Sequence, residues 1–77
     1  MNRDIITLQY QDEISEVKDP IEFAEFVYRG HINLWNDINE VAGYLPDYIE
    51  KISIKNFKCT NNIVKCQLII VVGMEEK

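Results

Sequence analysis

The sequence predicts an α+β fold: β-α-β-β, a three-stranded antiparallel sheet with one long amphipathic helix packed on one face. Three observations predict it. An alternating segment opens the chain, a long three-to-four-residue apolar period fills the middle, and two apolar runs close it around Asn61-Asn62. At 77 residues the chain is one domain, spanning 1–77.

Ile5 to Tyr10 alternates, with Ile6, Leu8 and Tyr10 on one face and Ile5, Thr7 and Gln9 on the other. Gln11 to Lys18 is polar apart from Ile14 and Val17, and reads as a connection that extends the strand briefly. Asp19-Pro20-Ile21-Glu22 starts a helix: a capping aspartate, a proline at the first helical position and a glutamate able to bond back. The apolar stripe then runs through Phe23, Phe26, Val27, Leu34, Ile38, Val41 and Leu45, and Glu22, Glu25, Arg29, Asn33, Asn36 and Glu40 oppose it. Gly30 sits on the apolar face as a kink or a point of close approach, and Gly43 with Pro46 marks the stop. A helix of about 22 residues is about 33 Å long, more than the roughly 20 Å expected of the strands, so it should overhang or bend.

The hairpin follows from Asn61-Asn62, because asparagine tolerates the positive φ of a two-residue turn. Strict pairing back from that turn would throw Ile52 and Ile54 onto the wrong face. One extra residue near Lys55-Asn56 repairs the register, so a β-bulge is predicted there. Ile52, Ile54, Phe57 and Cys59 then share the core face with Val64, Cys66, Leu68, Ile70 and Val72. Lys51, Ser53, Lys58, Lys65, Gln67, Ile69 and Val71 take the other face. One helix covers one face, so Ile5, Ile69 and Val71 need cover from another subunit.

Charge is segregated. Lys51 to Met74 holds four lysines and no acid, whereas Met1 to Glu50 holds eleven acids against Arg3, Lys18 and Arg29. Such a dipole orients partners. The net charge of −5 argues against nucleic acid as the partner, and a hairpin-mediated contact with it is the third and weakest reading. The lysine face carries no arginine and no aromatic residue, a poor match to nucleic-acid readers.

Candidate partner-binding residues are Lys51, Lys58 and Lys65 on the sheet, and Tyr28 and Trp35 at the border of the helical stripe. The plain alternative for the lysines is a solvated face that discourages edge pairing. Cys59, Cys66 and His31 lack the paired spacing of a metal site, and the two cysteines would lie diagonally, which does not suit a disulfide. No metal ligand set and no catalytic residue is assigned. There is no glycine-rich phosphate loop, nucleophile elbow or catalytic carboxylate pair, so the chain is read as non-enzymatic.

No run reaches the roughly 18 apolar residues of a membrane span, and Met1-Asn2-Arg3-Asp4 lacks the apolar core of a signal peptide. No membrane contact and a cytoplasmic setting are expected. The lexicon favours Ile, Asn, Lys and Tyr, whose codons are AT-rich, which points to a low-GC bacterium or its phage. The expectation is a small acidic protein-interaction module acting as a homo-oligomer, an accessory or inhibitor protein of a phage or mobile element that binds a host macromolecule.

Tyr48 to Met74 also resembles the dodecins, small flavin-binding proteins whose β-α-β-β subunits form hollow dodecamers. Tyr48-Ile49-Glu50, Gln67 within Lys65-Cys66-Gln67-Leu68, and Val72-Gly73-Met74 carry the likeness, over about a third of the chain. The resemblance implies flavin storage, with Tyr48 in place of the stacking tryptophan and Gln67 on the flavin ring edge. The N-terminal half departs from the family: the Gly-Ser-Ser-rich turn before the helix is missing. No other cofactor is expected.

Overall fold

A computed structural model of the chain describes residues 2–75. Strand β1 (Asn2–Glu13) is followed by helices α1 (Pro20–Tyr28) and α2 (Leu34–Ala42), then strands β2 (Tyr48–Thr60) and β3 (Ile63–Met74). The sheet is antiparallel throughout, in the order β1-β3-β2. The most apolar strand, β3, is central, and the two strands that carry most of the charge form the edges. That division keeps apolar backbone away from free edges.

The hairpin turns through Asn61 and Asn62 at φ 53° and 65°. These left-handed values suit the mirror-image turn that matches strand twist. On β2, Asn56 and Phe57 together oppose Cys66, and Asn56 has φ 54°. The extra residue lies where the hydrophobic register required one, and it sets Ile52 against Ile70 and Ile54 against Leu68. A second irregularity, at Glu50, has no counterpart in the sequence reading.

The expected single long helix is not formed, so the order is β-α-α-β-β rather than β-α-β-β. The cause is local. Gly30 takes φ +81°; its N–H donates to Val27 O at 3.0 Å, and the His31 N–H donates to Phe26 O at 3.4 Å. This is the Schellman pair, which ends a helix. Asn33 then caps a new one, its Oδ1 accepting from the Asn36 N–H at 3.2 Å. The first cap is as predicted: Asp19 Oδ1 accepts from the Glu22 N–H at 2.8 Å, while Glu22 reaches back to the Lys18 N–H rather than to that of Asp19. α2 stops at Gly43, at φ +80°. Two helices of 9 residues are each about 13 Å long, so neither overhangs the sheet.

The break rotates the second half of the stripe. Phe23, Val27, Leu34 and Ile38 are buried, but Val41 and Leu45 are 61% and 63% exposed, contrary to the single-helix pattern. The core lies between the helices and one face of the sheet, where Ile6, Leu8, Val64, Cys66, Leu68, Ile70 and Val72 are buried. Phe23 sits at its centre against Tyr10, Phe26 and Phe57. The β1–α1 connection buries Ile14 and Val17 and is tied to the hairpin tip. Asn62 O accepts from the Ile14 N–H at 2.7 Å, and Asn62 Oδ1 accepts from Lys18 Nζ at 2.6 Å.

Candidate interaction surfaces

The helices occupy one side of the sheet, so the other side is left open. Antiparallel pairing places its residues in rows across β1, β3 and β2. These are Arg3, Gly73 and Tyr48; Ile5, Val71 and Lys51; Thr7, Ile69 and Ser53; Gln9, Gln67 and Lys55; Gln11, Lys65 and Lys58; and Glu13, Ile63 and Thr60. Ile5 is 66% exposed, and Ile69 and Val71 are half-buried. At one end Arg3 Nε meets Glu50 Oε2 at 2.9 Å. At the other, Lys58 stands directly opposite Lys65, and neither has an ion-pair partner among the described residues. Like charges in that position repel.

A second surface forms at the helix break. An open groove of about 750 Å³ is lined by Val27, Tyr28, Trp35, Leu34, Ile49 and Ile52, with the Gly30–Asn33 turn as its rim. Tyr28 is 68% and Trp35 42% exposed. His31 on the rim stacks on Phe26, with ring centroids 4.7 Å apart. The Schellman turn therefore builds the groove as well as ending α1: a continuous helix would fill the gap. The five candidate partner-binding residues separate into two sites. Tyr28 and Trp35 share the groove, while Lys51, Lys58 and Lys65 lie on the open sheet face. Ile49 and Ile52 were missed as groove residues because their spacing marks them only as core-facing.

The two residues implied by the dodecin resemblance do not meet within one protomer. Tyr48 pairs with Gly73 while Gln67 lies six positions away on β3, about 20 Å along the strand. The Tyr48 ring covers Gly73, where a β-carbon would collide with it. Gln67 Oε1 accepts from Asn56 Nδ2 at 2.9 Å. Within the protomer the two side chains thus lie at separate places on the open sheet face, each in contact with a neighbouring strand.

Among the described residues, no group of three or more His, Cys, Asp or Glu side chains is gathered as a metal ion requires, and no helix is long and apolar enough to cross a membrane. Cys59 and Cys66 are both free thiols. Compared with known proteins, the chain matches no family model, no curated protein and no solved structure.

Titration is informative on the alkaline side. Burial pushes the Tyr10 phenol up to about 12, helped by the Asp12 carboxylate beside it, and burial pushes the Cys66 thiol up to about 11. Both groups bind their proton more tightly when folded. Their contribution is complete below the unfolded values of 10.0 and 9.0 and is lost as pH rises through the folded ones. Stability should therefore fall between about pH 9 and pH 12. Tyr10→Phe should move the alkaline unfolding midpoint, followed by circular dichroism, to higher pH. An unmoved midpoint would show that Tyr10 does not drive the alkaline loss. At the acid end two shifts oppose each other. The Tyr44 hydroxyl and the Ile5 N–H hold Asp4 low, while burial and then Glu40 hold Asp37 high.

Proposed function

We propose that this chain is a non-enzymatic interaction module that self-associates and holds a segment of another protein in the groove at the helix break. One observation carries it: Tyr28 and Trp35, the exposed aromatic residues of the two helices, line one apolar groove with Ile49 and Ile52 of an edge strand. Aromatic side chains rimming a partly desolvated pocket are the usual anchors of protein interfaces. The unpaired outer edge of β2 offers backbone donors and acceptors beside the groove, so an extended segment with apolar side chains suits it. Size, acidity and the AT-rich lexicon support a cytoplasmic accessory or inhibitor protein of a phage or mobile element, acting on a host macromolecule.

Trp35 is the sole tryptophan, so its emission reports on the groove directly. With a partner captured on the wild-type protein and then purified, titration should shift that emission. The double variant Tyr28→Ser, Trp35→Ser should bind about 30-fold or more weakly, the scale of an aromatic hot spot. Unchanged emission together with unchanged affinity of the double variant would end the groove assignment.

A further inference from the structure

We infer that the open sheet face is covered by the same face of a second copy, in a two-fold dimer centred on Ile69 and Val71 with the strands of the two copies running in opposite directions. The inference deepens the self-association in the proposed function and does not depend on the groove.

Charge complementarity favours this arrangement. A two-fold axis lying between two stacked sheets and running across the strands sets each strand over its own counterpart with its ends exchanged. The apolar cluster of exposed Ile5 and half-buried Ile69 and Val71 fixes where that axis passes, and leaves the exposed Ile63 at the far end outside the overlap. Val71 then lies over the partner's Ile69, and Ile5 over the partner's Thr7. The same operation carries Lys65 over the partner's Glu75. On β2 it carries Lys55 over the row of the partner's Tyr48, and Lys58 toward the partner's Asp47. Lys65 and Lys58, the opposed pair of the basic end, both meet acids of the opposite end. Asp47 is already held in place, its Oδ2 accepting from the Glu75 N–H at 2.6 Å. The Lys58–Lys65 opposition, which repels in the lone protomer, acquires the anions it lacks. With the strands parallel instead, lysine would face lysine.

The area is that of a small interface. With the axis level with Ile70, about ten rows, three strands abreast, face their counterparts and present about 470 Å² per copy, or about 950 Å² in all. A specific interface needs roughly 1,000 Å². Stacked sheets tolerate a strand angle of about 30°, which leaves the central contacts in place and loosens those at the corners.

The test is sedimentation or light scattering on the wild-type chain and three variants, each checked by circular dichroism for retained fold. The wild type should run at twice the protomer mass of 9.1 kDa. Ile69→Lys, at the centre, should be monomeric. Lys65→Glu, which sets acid against Glu75, should weaken association at least about tenfold. Adding Glu75→Lys to Lys65→Glu should restore it, because the pair is exchanged in both copies. A monomeric wild type at about 100 μM overturns this inference and the self-association it rests on, while leaving the groove to its own test. A dimer indifferent to Ile69→Lys, or one that the double exchange fails to restore, overturns the proposed face and symmetry and leaves self-association standing.

Discussion

Phe23→Ala should leave most of the protein unfolded at 25 °C in dilute solution. The ring is fully buried, with centroids 5.2 Å from Tyr10, 6.5 Å from Phe26 and 6.0 Å from Phe57. It touches β1, β2 and the rest of α1 together. Truncating a buried phenylalanine costs about 3–5 kcal/mol in transfer and cavity terms. One core at this chain length supplies only roughly 3–5 kcal/mol in all. The loss therefore equals the whole margin. Phe23→Leu, which keeps most of the volume, should cost about 1–2 kcal/mol and fold. Urea titration followed by circular dichroism separates the two. If self-association contributes, raising the protein concentration should recover part of the folded signal of Phe23→Ala. An alanine variant that keeps over half of the wild-type stability would show that the aromatic cluster is not the centre of the core.

The second large effect tests the helix break. Ile38→Ala should cost about 2–5 kcal/mol, because Ile38 is fully buried and pins α2 to the sheet. Val41→Ala, three residues on, should change stability by no more than about 0.5 kcal/mol, since Val41 is largely exposed. A continuous helix would place both in one buried stripe and give both a core-sized cost. Equal losses in denaturant titration would restore the single helix and discard the groove with it.

Much of the sheet was legible because its signals are strict. Alternation has a period of two, so a single misplaced residue flips a face, and the conflict between Ile52 and Phe57 demanded a bulge near Asn56. The helical region was less legible because a period near 3.6 survives a short interruption. Phe23 and Val27 fit one stripe and Leu34 and Ile38 fit its continuation, whether or not the axis bends between them. The deciding signals were small: Gly30, and Asn33 three residues before a backbone N–H it can cap. Gly43 was read as a stop on the same chemistry that Gly30 also supplies. The open sheet face could be anticipated from Ile5, Ile69 and Val71. The groove could not, because it exists only once the helix has broken.

The central position of β3 has a consequence for synthesis. Strands β1 and β2 never pair with each other; each needs β3, and β3 is the last of the three to leave the ribosome. Until then the nascent chain holds two helices and two strands with nowhere to register, and no partial sheet can form along the way. The β2–β3 hairpin can then close from its local turn, whereas β1 joins through contacts as distant as Asn2 with Met74. Such long-range closure makes for slow folding once β3 has emerged. During that interval, the lysines and bulges of β2 and the aspartates and glutamate of β1 guard the waiting edges against the wrong neighbour.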